Sequence, residues 1–393
     1  MSFFTTGPWL FFLLFFAIFA KSLWFFYYFS LYVFKPKIYK DNYNGKTALI
    51  VPVYNEQPDK LSDTIENVMK ADGLNEIIFV NDGSDKGDVL LTLHKLQKSH
   101  NYGFKIVNLN NNVGKRQAQA EGIKAASEDT DVFVFMDSDT ILQKDSITKL
   151  TKPMNDEEIG GTTACILVKN KDDNLLTKSI SAMYWSASNI WRQGPSNLNF
   201  VQVTNGQLSC YRASIIKDII QNYVSQDFLG VRCTLSDDRY LTHHIQTDYN
   251  KRIRYVKNSV VYTYVPNTIK GAYKMFLRWK RGSWRESVLV LKKTFKKPIL
   301  IADIWANHLI QIMQTIVRVA VIILAITISP TILLYYIGIV ILISLLYSFH
   351  MIVENIKEVP YKIIYSLGNE FIFSWTYLHA LLTIKNQGKW GTR

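Results

Sequence analysis

Residues 131–140 read DVFVFMDSDT: a short run of β-branched and aromatic residues that stops at two aspartates placed one residue apart. A run this short, bounded by polar residues and rich in Val and Phe, predicts a buried strand rather than a helix. The same grammar recurs upstream in TALIVPVYNE (47–56), EIIFVNDGSD (76–85) and FKIVNL (104–109). Between these runs, LSDTIENVMKADG (61–73) and GKRQAQAEGIKAAS (114–127) carry helical periodicity. Alternating strand and helix predicts an α/β domain over residues 45–265, a parallel sheet covered on both faces, of Rossmann-like type. In such a sheet ligands bind beyond the carboxyl ends of the strands. The polar ends VPVYNE, VNDGSD and MDSDT all fall there.

Composition bounds what surrounds that domain. The 393 residues are 48% hydrophobic and 13% aromatic, enough for one soluble domain plus membrane segments. Lys and Arg number 45 against 32 Asp and Glu, a net charge of +13 that suits nucleic acid, anionic lipid or a phosphate-bearing substrate without choosing among them. Cys165, Cys210 and Cys233 are scattered, with no CxxC spacing, so neither a disulfide framework nor a zinc site is favoured. A reducing, cytosol-facing domain follows.

The apolar residues concentrate at the two ends. Residues 8–34 carry one charge, Lys21, and lack the basic start and small-residue cleavage site of a signal peptide, so they read as a retained anchor. Lys35, Lys37 and Lys40 follow at once and place the next domain in the cytosol. Residues 305–328 and 331–353 are each long enough to span, with Pro330 between them. Residues 361–383, diluted by Asn369, Glu370 and His379, read as interfacial or re-entrant. The expected organisation is an anchor at 1–40, a cytosolic domain at 41–268, an interfacial stretch at 269–298 and membrane or interfacial helices at 299–393. In the stretch 278–298, RWKRGSWRESVLVLKKTFKKP, tryptophans interleave with cations. That pattern suits a helix in the headgroup layer, and its position before a membrane span argues for lipid over nucleic acid.

Several polar residues carry candidate chemistry. Asp137 and Asp139 lie on one side of an extended segment and can share a hard divalent cation, Mg2+ or Mn2+; Asp139 equally reads as the cap of a following helix. Lys115 and Arg116 open a helix after Gly114, where cations and backbone donors converge on an anion; a solvated basic turn is the alternative. Asp82 suits a base or ribose and Tyr54 offers a ring, and either equally reads as turn or core. In LSDDRYLTHH (235–244), two adjacent carboxylates raise one another's basicity, and Arg239 limits the repulsion. The doublet also reads as a helix start, with Asp237 as cap, and adjacent helical side chains diverge by about 100°. His243 and His244 read as helix-surface residues.

VPVYNE, VNDGS, GKRQAQA, MDSD, NGQLSCYR, SDDRYLT, RWKRGSWRES and the terminal WGTR stand in the order seen in processive, membrane-embedded family 2 glycosyltransferases. The chain resembles these over nearly its whole length, and among them looks most like the bacterial hyaluronan synthases, through DFLG, SDDRYLT, RES and TIKNQGKWGTR. Chitooligosaccharide synthases and a capsular glucuronate-glucose polymer synthase are also similar. The resemblance implies a GT-A domain that polymerises UDP-sugars, UDP-GlcNAc and UDP-GlcA, and extrudes a polysaccharide at the cell membrane through its own helices. It implies that Tyr54 and Asp82 hold uridine, and that Lys115, with Asp137 and Asp139 through a metal, holds the diphosphate. Asp238 is implied as general base, with Asp237 and Arg239 beside it. Arg278 meets the leaving diphosphate and Trp279 lines the acceptor end. The matched motifs add Asn55, Glu56, Arg116, Gly206, Gln207, Arg285 and Trp390 as substrate-binding positions.

Two departures stand out. The family's QxxRW has Met275 in place of glutamine, and the cysteine that hyaluronan synthases carry before the priming loop is replaced by Thr204 in Thr204-Asn205-Gly206-Gln207. A chitin-like polymer, a glucuronate-glucose polymer and transfer of one sugar to a lipid phosphate are the alternative activities. A scaffold without catalysis disagrees with intact Asp137, Asp139 and Asp238.

Overall fold

The structure is a computed structural model that describes residues 15, 18–19, 22, 25–34, 37–85, 88–99, 103–291 and 297–386. Trp390 and the WGTR tail lie outside the described residues, as does most of the 8–24 segment.

The four sequence-expected strands form where the apolar runs are. They are β1 (Thr47–Val53), β2 (Glu76–Asp82), β3 (Lys105–Leu109) and β4 (Val132–Met136). Alternate residues of a strand face opposite sides. Accordingly Leu49, Val51, Phe79, Val132 and Val134 enter one core, whereas Ala48, Ile50, Ile78, Val80, Phe133 and Phe135 enter the other. A sheet buried on both faces needs these continuous apolar runs. Each fully buried Leu, Ile or Phe contributes about 1.5–3 kcal/mol.

The sheet continues through β5 (Ile141–Leu142), β6 (Ile159–Val168), β7 (Leu208–Arg212) and β10 (Arg252–Thr263); β8 (Asp227–Phe228) and β9 (Val231–Arg232) form a separate ribbon. Its order is β3-β2-β1-β4-β7-β6-β10-β5. The first four strands are parallel as expected. β7, however, inserts antiparallel between β4 and β6, so the sheet is mixed rather than parallel. That correction comes from long-range pairing, which local periodicity does not encode. The helices used below are α1 (Lys115–Ala125), α2 (Asp237–Thr247), α3 (Ile269–Val290), α4 (Pro298–Thr327) and α5 (Thr331–Tyr347).

Among the described residues, one helix, α4 with 30 residues, is long and apolar enough to cross a membrane. A second crossing exists only if α5 and Phe349–Leu382, bent by 55° at their junction, act as one broken span. The 331–353 run is thus not the straight span expected. At the break the Ser348 hydroxyl donates to the Ser344 carbonyl at 2.7 Å, a back-bond of the kind that accompanies helix bends. In the diluted 361–383 run, Glu370 accepts from Arg318 Nε at 2.9 Å and from the Tyr336 hydroxyl at 2.5 Å. The N-terminal helix, over residues 25–33, joins this assembly through Tyr28, whose hydroxyl donates to Asp303 on α4 at 2.6 Å.

Candidate active site

The strand ends converge as their register requires. Asp82, at the end of β2, accepts the Val113 and Gly114 N–H groups at 2.8 and 3.0 Å. Burial pushes its carboxyl up and these two donors hold it down. Gly114 adopts φ 91°, a left-handed conformation open to glycine, and so brings the start of α1 onto this carboxylate. Asn55 (φ 49°) donates its N–H to Ser84 Oγ and accepts the Asp85 N–H, both at 3.0 Å, clasping two loops together. The Tyr54 hydroxyl donates to Asp85 at 3.3 Å, and Glu56 accepts from Ser138 at 2.9 Å.

Lys115 is the electrostatic centre. Its ammonium lies 2.7 Å from Asp137 and 2.8 Å from Asp237, and the two carboxylates raise its pKa against the opposing effect of burial. Gly206 closes the cradle: a Cβ there would stand 3.2 Å from Lys115 Nζ and 3.3 Å from Asp137 Oδ2. Asp139 caps no helix, since a short strand at Ile141–Leu142 follows and the next helix starts at Ser146.

A cavity of about 110 Å³ brings together Tyr54, Asp82, Lys115, Asp137, Asp139, Gln207, Arg278 and Trp279. Tyr184, Tyr264 and Met275 also line it; these the sequence motifs did not single out as ligand contacts. Its charged lining is Asp82, Asp137 and Asp139 against Lys115 and Arg278, a net −1. An anionic diphosphate therefore needs added positive charge there. Among the described residues no cluster of three or more His, Cys, Asp or Glu groups could hold a metal alone. Two hard carboxylates that leave the remaining positions to phosphate oxygens and water fit Mg2+ or Mn2+.

The doublet divides its tasks. Ser236, at φ 56° and ψ 49°, turns the chain into α2, and Asp237 takes the first helical position. Asp237 directs its carboxylate to Lys115 and to the Gln119 amide at 3.3 Å, and its pKa falls, with Lys115 overcoming burial. Asp238 accepts the Arg239 N–H at 2.7 Å; burial first, and then the Asp237 charge, push its carboxyl up to about 6. Thr204 lies beside it. Its hydroxyl bonds the Tyr211 hydroxyl at 2.6 Å and the Asp238 carbonyl at 3.2 Å.

Some expected site residues point elsewhere. Arg116 turns away from Lys115, as neighbours on a helix do. It donates to the Leu235 and Ser236 carbonyls at 2.9 and 3.1 Å and meets Glu286 at 3.3 Å. Arg285, fully buried, also donates to the Leu235 carbonyl and to Glu286. Both arginines hold the turn before the doublet instead of lining the cavity. Gly282 makes this fit possible, since a Cβ there would overlap the Ser236 side chain. His243 is buried, not on the surface, and desolvation, with Arg239 next, lowers its pKa to about 3. Nor do the tryptophans of α3 face outward: Trp279 packs on Tyr184 and Phe276, and Trp284 on His308 and Tyr377.

Residues 48–220 match glycosyl transferase family 2. The chain is a glycosyltransferase with a GT-A-like α/β domain. It is 29% identical over 361 residues to the hyaluronan synthase of Streptococcus pyogenes, covering 88% of this chain and 83% of that one. It is 32% identical over 243 residues to an N-acetylglucosaminyltransferase of Bradyrhizobium diazoefficiens, covering 61% of this chain and 49% of the relative. A mannosyltransferase from Pyrobaculum calidifontis, solved with GDP-Man and Mn2+, shares the fold at a TM-score of 0.67 with 17% identity, over 92% of this chain and 98% of that one.

Proposed function

We propose that this chain is a processive, inverting polymerase that joins sugars from UDP-GlcNAc and UDP-GlcA into a hyaluronan-type polysaccharide. It works at the cytosolic face of the cell membrane and passes the product between its own helices. The observation that supports this reading is that two separate cavities lie side by side along α3. Trp279 lines the 110 Å³ site, and the next residue, Lys280, lines a cavity of about 380 Å³ bounded by α4, α5 and the segment around Tyr365–Glu370. Asn307, Gln311 and Gln314 present amides to that cavity, and Trp191, Tyr347 and Tyr365 present rings. Amides and rings together suit a sugar chain, whose hydroxyls need partners and whose ring faces are apolar.

Tyr54 and Asp82 hold the uridine, and Lys115 and Arg278 face the diphosphate. Asp137 and Asp139 would hold a Mg2+ or Mn2+ ion, which would supply the positive charge that the diphosphate requires. Asp238 takes the proton of the acceptor hydroxyl as that oxygen attacks the anomeric carbon, and the UDP oxygen leaves on the opposite face. A carboxylate at about 6 is mostly ionised at neutral pH yet remains a stronger base than an ordinary aspartate.

Purified enzyme in lipid, given each donor alone and then both with Mg2+ or Mn2+, is expected to make high-mass polymer only with both, and hyaluronidase is expected to degrade it. Polymer from UDP-GlcNAc alone overturns this and supports the second reading, a chitin-like synthase. The N-acetylglucosaminyltransferase relative favours that reading.

A further inference from the structure

The stretch from Val201 to Gln207 runs from the apolar helices to the donor cavity and is fastened to a different element at almost every step. Gln202 leaves it on one side. Its amide donates to the Tyr28 hydroxyl at 3.1 Å and to Asp303 Oδ2, and Tyr28 donates to Asp303 Oδ1 at 2.6 Å, so the three side chains close a triangle. Tyr28 stands on the N-terminal helix, and Asp303 on α4, the one helix among the described residues that is long and apolar enough to cross a membrane. Tyr28 is fully buried and Asp303 is 2% exposed. A carboxylate on such a helix is costly and is retained only with donors around it. Here one donor comes from the N-terminal helix and the other from the catalytic domain.

The other side of the stretch is bound to α2. Gln246 accepts the Val201 N–H at 3.1 Å and donates to the Val201 carbonyl at 2.8 Å. Two residues past Gln202, the Thr204 N–H donates to Thr242 Oγ1 at 2.9 Å, and the Thr204 and Thr242 hydroxyls both donate to the Asp238 carbonyl, at 3.2 and 2.7 Å. Thr204, Thr242 and Gln246 are buried. Beyond Thr204 the stretch is pinned to β6: the Asn205 N–H donates to Thr163 Oγ1 at 2.9 Å, and the Asn205 amide to the Ala164 carbonyl at 2.7 Å. Gly206, against Lys115 and Asp137, and Gln207, in the smaller cavity, come after that pin. A shift at Gln202 therefore reaches α2 before it reaches the donor site.

We infer that Gln202 is a positioning residue for glycosyl transfer: clasped by Tyr28 and Asp303, it fixes the register of α2, and so of Asp238, against α4 and the N-terminal helix. The inference rests on the reading of Asp238 as the base. Gln202 lines neither cavity, so it acts through the stretch and not on the sugar nucleotide. A catalytic group misplaced by about 1 Å loses about a hundredfold in rate, so a fraction of that shift is a measurable loss.

The test uses the full chain in nanodiscs with both donors and Mn2+, turnover being read as UDP released and UDP affinity by calorimetry. Gln202→Leu removes both amide bonds and is expected to lower kcat about tenfold, with donor KM and UDP affinity within about twofold of the natural values. The paired variant Gln202→Glu with Asp303→Asn exchanges acid and amide, rebuilds the contact, and is expected to keep most of the natural turnover. Tyr28→Phe removes one donor, keeps the ring that lies 4.4 Å from Trp191, and is expected to lower kcat about threefold with the same split. Natural turnover in both Gln202→Leu and Tyr28→Phe overturns the inference. So does a joint fall of kcat and UDP affinity, which is loss of packing rather than of position. A paired variant that binds UDP yet is as slow as Gln202→Leu overturns it too; if the paired variant binds no UDP, natural turnover in Tyr28→Phe is enough to overturn it. Asp238→Asn in the same assay separates the claims. Full turnover there overturns the reading of Asp238 as base, whereas loss there with natural turnover in Gln202→Leu and Tyr28→Phe overturns only the role of Gln202.

Discussion

Lys115 Nζ lies 2.8 Å from Asp237 Oδ2, so the first aspartate of the doublet is tied to the Lys115–Asp137 pair, and in the proposed function the second is the general base. Two adjacent carboxylates on one helix face different partners, and their basicities are pushed in opposite directions. Asp237 is held below the usual carboxylate range by Lys115, and its fixed charge helps lift Asp238.

Removing the ammonium leaves Asp137 and Asp237 facing each other uncompensated. Lys115→Met is expected to cost about 3–5 kcal/mol of stability, the usual penalty for breaking a buried pair. Thermal unfolding reads this, and UDP calorimetry is expected to show a parallel loss of affinity.

The Asp238 value sets a pH dependence. Transfer, as kcat/KM, is expected to rise with pH along a limb centred near 6. Asp237→Asn removes the neighbouring charge and is expected to move that limb to lower pH. For stability the sign is opposite. A carboxyl with a raised folded-state pKa binds its proton more tightly when folded, so its contribution is full below the unfolded value, near 4, and is lost as pH rises through 6. Asp238→Asn is expected to remove that slope from melting temperatures measured between pH 4 and 7.

Gly282 lets α3 approach Ser236, whose left-handed turn starts α2. Gly282→Ala is expected to lower kcat about a hundredfold through displacement of the doublet, with the domain still folded. Adding Ser236→Gly removes the overlapping atoms and suits the positive φ, so the double variant is expected to recover activity. Recovery distinguishes a steric cause from general loss of packing.

The strands were legible because both of their faces are buried, which leaves an uninterrupted apolar run before Asp82 and Asp137. The antiparallel entry of β7 was not, because Leu208–Arg212 looks locally like any other short strand. Tyr54, Asp82, Lys115, Asp137, Asp139, Gln207, Arg278 and Trp279, singled out from separate motifs, line one cavity. Arg116 and Arg285 were misread because sequence order does not say which way neighbouring side chains on a helix point.

The lining of the smaller cavity is net negative, so donor binding is expected to need a divalent cation. EDTA is expected to abolish UDP binding in calorimetry, and Mg2+ or Mn2+ to restore it. Asp139→Asn is expected to raise the metal concentration giving half-maximal binding by about tenfold or more, with UDP affinity at saturating metal less affected.

The most direct test of the divided doublet compares Asp238→Asn with the natural protein for polymer formation and for UDP binding in the presence of Mn2+. The expected result is a loss of at least about 10²–10⁴ in turnover, the range of a general base, with UDP affinity nearly unchanged. Robust polymer synthesis by Asp238→Asn would contradict the account and remove Asp238 from the role of base.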